Sequence, residues 1–98
     1  MTLAEITNDI KKKSEGAAAI GSTFKFQFDD NDVVFVDGTQ EPPVVSNEDR
    51  DADCTMIMSY STYEKLMSGK LNPTMALMMG KVKIKGDMGV AMKLQSYL

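Results

Sequence analysis

The sequence predicts an α+β fold in which helices pack on one face of a sheet. After an N-terminal helix, segments typical of strands come first, and segments with helical spacing and capping residues follow, with one late strand among them. The chain has 98 residues, which suffices for one hydrophobic core but not for two. We therefore expect a single domain over residues 1–98.

The first element is an amphipathic helix, predicted over residues 2–15. Thr2 and Glu5 have the spacing of a capping box, in which two side chains satisfy backbone amides at the helix start. Ile6 and Ile10 follow at helical spacing and would form an apolar stripe.

Five segments have the alternation or composition of β-strands. The first alternates strictly, so Phe24, Phe26 and Phe28 should share one face of a half-buried strand. The last alternates too, with Val82 and Ile84 on one face and lysines on the other. In chain order the predicted strands are GSTFKFQF (21–28), DVVFVDG (32–38), PVVSN (43–47), CTMIMS (54–59) and KVKIKG (81–86).

Three short helices are predicted in the C-terminal half. Ser61 and Glu64 have the spacing of a second capping box. Asn72 followed by Pro73 predicts an N-cap and the first helical position of the next helix. Asp87 is the candidate N-cap of the last one. These helices are STYEKLMSG, PTMALMM and DMGVAMKLQSYL.

Charge is distributed unevenly along the chain. Residues 1–60 hold five basic and twelve acidic side chains, a net −7, whereas residues 61–98 hold six basic and two acidic, a net +4. An overall charge of −3 argues against nucleic acid as a partner. The basic half either contacts an anionic head group or a membrane surface, or simply keeps an apolar region soluble.

The residues needed for most catalytic and metal sites are missing. There is no histidine, so Ser-His-Asp and Cys-His arrangements and histidine zinc sites are excluded. Cys54 is the single cysteine, which suits a reducing compartment and a buried thiol. The acidic runs 29–32 and 47–53 lack the spacing of a calcium loop, and GKVKIKG lacks that of a phosphate loop. We expect no metal and no cofactor.

Methionine is the unusual residue of this chain. Eight of its nine methionines lie from Met56 onward, most of them in the three short helices. They are either ordinary core residues or the walls of a pocket that reshapes around variable apolar guests, because methionine is flexible and specifies packing poorly. No stretch of 18 apolar residues predicts a membrane span, and the N-terminus lacks the charge order of a secretory signal.

Four segments together cover much of the chain: FKFQF, VVFVDG, ADCTMIMS and LMSGKLNPTMALMMGKVKIKGDMGVAMKL. They resemble the sterol carrier protein 2 family of nonspecific lipid-transfer proteins. The resemblance implies a five-stranded, mostly antiparallel sheet covered on one face by helices, with a hydrophobic tunnel between them. It also implies non-covalent binding and transfer of fatty acids, fatty acyl-CoA, phospholipids and sterols, and no enzymatic activity.

By matching position, the resemblance implies which residues line the tunnel. Lys70 and Lys81 are weaker candidates for contact with a lipid head group, and Gly86 and Gly89 bracket a hinge that would let the last helix move. The tunnel residues implied are Phe26, Leu66, Met75, Met78, Met79, Val82, Ile84, Met88 and Met92.

The chain departs from many relatives at its end, Ser96-Tyr97-Leu98, which lacks the basic residue of a peroxisomal signal. We expect a bacterial, cytoplasmic protein, monomeric or weakly dimeric, that contacts membranes transiently. Two alternatives stay open. One is a non-transferring module that presents substrate or dimerises beside a lipid-metabolising enzyme. The other is a small thioesterase with a carboxylate base.

Overall fold

The computed structural model describes residues 2–16, 20–29 and 32–93. Four helices and five strands lie in these ranges. They are α1 (Leu3–Glu15), β1 (Thr23–Gln27), β2 (Val33–Asp37), β3 (Val44–Ser46), β4 (Cys54–Met58), α2 (Tyr60–Met67), α3 (Pro73–Met78), β5 (Val82–Gly86) and α4 (Met88–Lys93).

The strands form one five-stranded sheet with the order β3-β2-β1-β4-β5. Neighbouring strands run antiparallel except for the central pair, β1 and β4, which run parallel. The predicted α+β class and the mostly antiparallel five-stranded sheet are therefore confirmed. β5 lies at one edge and the short strand β3 at the other.

The alternation in the strands places apolar side chains on one face of the sheet. Val34, Phe26, Met56 and Ile84 are direct neighbours across β2, β1, β4 and β5, so one row of apolar side chains crosses four strands. Phe26 is 1% exposed, and burial of such a side chain contributes about 1.5–3 kcal/mol. This face carries the core.

The helices cover that same face. Ile6 and Ile10 of α1, Tyr63 and Leu66 of α2, and Ala76 of α3 are all buried in the core cluster. The spacing of the two isoleucines by four residues is the helical period expected from the sequence. Helix packing on one face of the sheet, as predicted, leaves the other face to loops and charged side chains.

On that other face, the loop after β3 covers part of β2. Val33 and Phe35 are buried, and the guanidinium carbon of Arg50 lies 5.0 Å from the centroid of the Phe35 ring. At the start of this loop, the Asn47 side-chain amide donates hydrogen bonds to the carbonyl of Val33 and to the hydroxyl of Thr7 on α1, and so ties the loop to the end of β2 and to this helix. Lys25 pairs with Asp49 at 2.8 Å. The acidic loop therefore acts as a cover for the sheet.

Most of the predicted helix starts are confirmed. The Thr2 hydroxyl accepts from the amide of Glu5, whose carboxylate accepts from the amide of Thr2, as in a capping box. The Asn72 side chain caps α3 by accepting from the amide of Thr74 at 2.8 Å. The carboxylate of Asp87 accepts from the amide of Gly89, also at 2.8 Å, which begins α4.

The predicted start of α2 is wrong by two residues. Ser59, not Ser61, is the N-cap, and its hydroxyl accepts from the amide of Thr62 at 3.1 Å. Ser61 lies inside the first turn. Both serines precede helix-favouring residues. Only Ser59 directly follows β4 and has the extended backbone conformation that an N-cap residue adopts, so the helix begins after Ser59.

Candidate functional site

An apolar cavity lies between α3, α4 and the end of the sheet formed by β4 and β5. Its volume is about 160 Å³. The residues that line it come from all four of these elements. They are Met56, Pro73, Thr74, Leu77, Val82, Ile84, Met88, Ala91 and Met92.

The floor of the cavity follows from strand pairing. β4 and β5 are antiparallel with Met56 opposite Ile84, and Val82 lies two residues from Ile84 on the same face. Lys83 and Lys85 alternate with these residues and are exposed. The alternation read in the sequence therefore places two apolar side chains of the edge strand beneath the helices.

Helical spacing builds the two walls. Pro73 and Leu77 are four residues apart on α3 and both line the cavity. Met88 and Met92 have the same spacing on α4, whose start is set by Asp87. The N-caps fix where both short helices begin, and packing against the sheet decides which of their side chains face inward.

The start of α4 is held against the loop before β4. The amide of Asp87 donates a 2.8 Å hydrogen bond to the carbonyl of Asp53. Gly86 has φ +100°, and a Cβ at this position would lie 2.3 Å from the Asp53 carbonyl oxygen. Glycine at position 86 is therefore required for a close backbone approach, and this contact restrains one end of the hinge expected from the sequence.

Four of the nine tunnel residues implied by the resemblance line the cavity. They are Val82, Ile84, Met88 and Met92. Phe26 and Leu66 lie elsewhere in the core cluster, at 1% and 6% exposure, and do not line the cavity.

Met75, Met78 and Met79 do not line the cavity either and are exposed, at 51%, 78% and 57%. Ala76 is fully buried and Leu77 lines the cavity, so α3 turns its other side outward. At 100° per residue the three methionines share this outward side.

Sequence reasoning missed five lining residues. They are Met56, Pro73, Thr74, Leu77 and Ala91. The N-cap at Asn72 and the four-residue spacing put Pro73 and Leu77 on one face of α3, but no local signal shows that this face is the inward one. Met56 shares a face of β4 with Cys54 and Met58, and all three are buried on the core side.

The cavity lining contains almost no chemically reactive group. None of its nine lining residues is titratable, and Thr74 alone among them has a hydroxyl. Cys54 lies on β4 beneath the helices and is fully buried. Burial, and next the negative charge of Asp87, raises the pKa of the Cys54 thiol, which lowers its nucleophilicity at neutral pH. The arrangement can desolvate an apolar chain and hold it by contact.

The cavity is small, and some of the side chains that line it are exposed to solvent. Ligand pockets usually measure about 300–1,000 Å³, well above the 160 Å³ found here. Leu77, Met88 and Met92 are 43%, 55% and 70% exposed although they line it. These three side chains form the mouth of the cavity, and a larger guest requires them to move aside.

No three His, Cys, Asp or Glu side chains within residues 2–16, 20–29 and 32–93 are grouped as metal ligands. In the same part of the chain, no helix has the length and apolar composition that crossing a bilayer requires.

The sequence is similar to known proteins over most of its length. Residues 3–98 match the SCP-2 sterol transfer family. Sterol carrier protein 2 of Homo sapiens is 53% identical over 53 residues, which are 54% of this chain and 10% of the relative. Hydroxysteroid dehydrogenase-like protein 2 of Danio rerio is 48% identical over 61 residues, or 62% of this chain and 13% of the relative. The similarity thus spans about a tenth of the length of these relatives.

Solved structures agree with the fold. The crystal structure of Sterol Carrier Protein 2 Like 2 from Aedes aegypti gives a TM-score of 0.77 at 19% identity, and covers 97% of this chain and 94% of the other. The solution structure of palmitated SCP2L2 from Aedes aegypti gives 0.76 at 20% identity, with coverage of 97% and 92%. At these identities the likeness establishes the fold alone.

Proposed function

The chain belongs to the SCP-2 sterol transfer family, and on this premise we propose that it binds lipids without covalent chemistry and transfers them between membranes inside the cell. The observation that carries the proposal is the cavity between α3, α4 and the sheet, whose nine lining residues include no titratable group. Such a site distinguishes ligands by size and apolar area, not by charge.

Desolvation supplies the binding energy. Each buried methylene is worth about 0.8 kcal/mol, so a sixteen-carbon chain gains on the order of 10 kcal/mol before the entropy costs of binding. Methionine and leucine walls suit guests of different shape, because the methionine side chain adapts to irregular surfaces. The palmitated state named for the Aedes aegypti relative supports fatty acids as the first class to test.

The ligand class we propose is fatty acids, fatty acyl-CoA and phospholipids, with sterols as a further candidate. All of these exceed a cavity of about 160 Å³, so binding must open it. Because Gly86 and Asp87 hold the start of α4 against Asp53, we place the opening at the mouth, where Leu77 and Met92 are 43% and 70% exposed.

The residues we assign to the lipid are those that line the cavity. Val82 and Ile84 form its floor with Met56, and Met88 and Met92 form the wall on α4. Leu77 with Pro73 forms the wall on α3. We propose no catalytic residue, and we treat residues 1–98 as one lipid-binding domain.

We further propose a reducing, cytoplasmic location, which the single buried thiol of Cys54 supports. A bacterial source and a monomeric or weakly dimeric state remain predictions. The relatives described above come from Homo sapiens and Danio rerio and give the bacterial source no support. Transient contact with a membrane surface follows from the proposed transfer, because a carried lipid has to leave one bilayer and enter another.

A second function is favoured by one specific observation. Hydroxysteroid dehydrogenase-like protein 2 of Danio rerio matches over only 13% of its length, so a domain of this kind is a small part of a protein named for an enzyme. The alternative is thus a module that presents apolar substrate to an enzyme, or dimerises with it, without transferring lipid itself.

Native mass spectrometry of the purified chain tests the proposed function. The protein is sprayed intact, then extracted with organic solvent, and the released compounds are identified. We expect one fatty acid or phospholipid for each chain, and we expect the emptied protein to bind a fluorescent fatty acid. An empty chain that binds no fluorescent fatty acid would overturn the proposal and favour the module. A lipid-bound chain that moves no lipid between donor and acceptor vesicles would favour presentation over transfer.

A further inference from the structure

The apolar side chains that this protein exposes are concentrated on α3 and α4. Among the described residues seven large hydrophobic side chains are exposed, and six of them lie between positions 75 and 92. These six are Met75, Leu77, Met78, Met79, Met88 and Met92. Clustered exposed apolar residues mark a contact surface, whereas scattered ones need no explanation.

We call Met75, Met78 and Met79 the methionine patch. Met75 and Met78 lie on the outward side of α3 and Met79 is its C-cap, while Leu77 of the same helix lines the cavity with Met88 and Met92. Met78 follows the cavity-lining residue Thr74 by four positions, so the patch borders the cavity side of α3 at this point. A partner bound to the patch would therefore lie beside the cavity.

The chain around the methionine patch is basic. Between Lys65 and Gly86 there are five lysines and no acidic residue, in a protein whose first 60 residues carry a net −7. Lys70 precedes α3 and Lys81 follows it, and both are exposed. Lys81 is held at the end of α3 by its amide, which donates a 2.9 Å hydrogen bond to the carbonyl of Ala76. Positive charge therefore flanks the exposed methionines on both sides.

From this arrangement we propose that the methionine patch docks on the surface of a lipid bilayer that contains anionic lipids, with Lys70 and Lys81 at the head groups and the cavity mouth against the membrane. The inference rests on the proposed function, since it names the surface through which lipid is exchanged.

A bilayer fits these residues better than a protein partner does. Protein interfaces depend on rigid anchors such as tryptophan, tyrosine and arginine, and none of these occurs between Lys65 and Gly86. Flexible methionines over a basic rim match a fluid apolar interior beneath anionic head groups. A short helix with an outward apolar side can lie in the plane of such an interface.

The test measures binding to vesicles of phosphatidylcholine, with or without phosphatidylserine, by flotation. We expect the unmodified chain to float only with the vesicles that contain phosphatidylserine. Met78→Glu should weaken this binding by roughly tenfold or more, because a carboxylate would face anionic head groups. Lys81→Glu should have a similar effect, and added salt should weaken the binding of the unmodified chain.

Two matched controls report whether the effect belongs to this surface. Val44→Glu places the same charge at a valine that is 53% exposed on β3, at the sheet edge opposite β5. Lys11→Glu reverses an exposed lysine on α1. We expect both to float like the unmodified chain. The proposal is overturned if either control loses binding as fully as Met78→Glu does.

A separate assay distinguishes failure of docking from failure of lipid binding. Fluorescent fatty acid is titrated in solution without vesicles, and Met78→Glu should keep its affinity within about twofold, since Met78 does not line the cavity. A chain that binds fatty acid but never floats overturns docking and leaves the proposed function standing. A chain that floats but binds no fatty acid overturns the proposed function and leaves docking standing. A stable dimer that Met78→Glu dissociates also overturns docking, because a second copy would then cover the patch.

Discussion

The hydroxyl of Tyr63 on α2 donates a 2.6 Å hydrogen bond to the carboxylate of Asp9 on α1. The same carboxylate lies 3.1 Å from the ammonium of Lys13, which is also 5.6 Å from the centroid of the Tyr63 ring. Tyr63 is 1% exposed, so this bond joins the two helices beside the core. Burial, and next the bond to Asp9, raises the pKa of Tyr63, so the hydroxyl stays protonated as the donor.

This contact predicts a dependence of stability on acidic pH. Burial would raise the pKa of Asp9, but the hydrogen bonds from Tyr63 and Lys13 outweigh it and hold the pKa below its usual 3.8. A carboxyl whose pKa is lowered by folding stabilises the fold above its unfolded pKa, and this stability is lost as pH falls through the folded value. Asp9→Asn should therefore be less stable at pH 7, by about 1 kcal/mol, and should lose less on acidification.

Urea unfolding at a series of pH values from 7 to about 2 measures this effect. Asp51→Asn, in an exposed loop, is the matched control and should follow the unmodified chain. Equal acid sensitivity of Asp9→Asn and the unmodified protein would mean that the Asp9 carboxylate contributes nothing to the acid dependence.

Adjacent residues of α3 give a sharp test of the cavity. Leu77 lines it, whereas Met78, one position along, does not and is 78% exposed. Leu77→Asp should weaken binding of a fluorescent fatty acid at least tenfold, or about 1.4 kcal/mol, because a charge then lies against the acyl chain. Met78→Asp should leave the affinity in vesicle-free solution unchanged.

Circular dichroism should show both variants folded. If Met78→Asp weakens binding as much as Leu77→Asp does, the acyl chain also contacts the outward side of α3, and the resemblance-based assignment of Met78 would regain support.

The backbone approach at Gly86 predicts a large loss of stability on substitution. Gly86→Ala combines a positive φ of +100° with a Cβ 2.3 Å from the Asp53 carbonyl oxygen. We expect a loss of about 3 kcal/mol in the free energy of unfolding, measured in urea. Gly69→Ala has a similar φ, +76°, but open space around the added atom, and should cost about 1–2 kcal/mol. Equal losses in the two variants would show that the contact with Asp53 relaxes freely.

The thiol of Cys54 should be almost inert in the folded protein. It is fully buried, and burial raises its pKa. A chromogenic disulfide reagent at pH 7 should therefore react only as fast as the chain opens, and its rate should rise with urea. Fast reaction in the absence of urea, with the protein folded by circular dichroism, would contradict the burial of this side chain.

The strands and most helix starts could be predicted from sequence because their signals are local. The alternation of apolar and polar residues predicted which side chains of β1 and β5 face the core. The side chains of Thr2, Asn72 and Asp87 cap helices, as their positions in the sequence indicate. The parallel pairing of β1 with β4 has no local signal, since the segments lie apart in the chain and either direction would satisfy their apolar faces.

The orientation of α3 could not be predicted from hydrophobic periodicity. Five consecutive apolar residues, Met75 to Met79, leave a helix of six residues without an amphipathic pattern. Packing against the core decides which side of α3 faces inward. Ala76, the smallest of the five residues, is buried, and its bulky neighbours Met75, Met78 and Met79 are exposed. The last predicted helix extends over residues 94–98, which lie outside the described part of the chain.

The pairing of β1 with β4 joins the two halves of the chain, so a cut in the exposed loop 47–53 would divide it into two complementary fragments. All cavity-lining residues lie between Met56 and Met92, so the second fragment would hold the whole lining of the cavity. Its sheet, however, would consist of β4 and β5 alone, and two strands are marginal in water. The first fragment offers β1 as the missing neighbour of β4. Fatty acid binding would then report the reassembly of two separately produced halves, each inactive without the other.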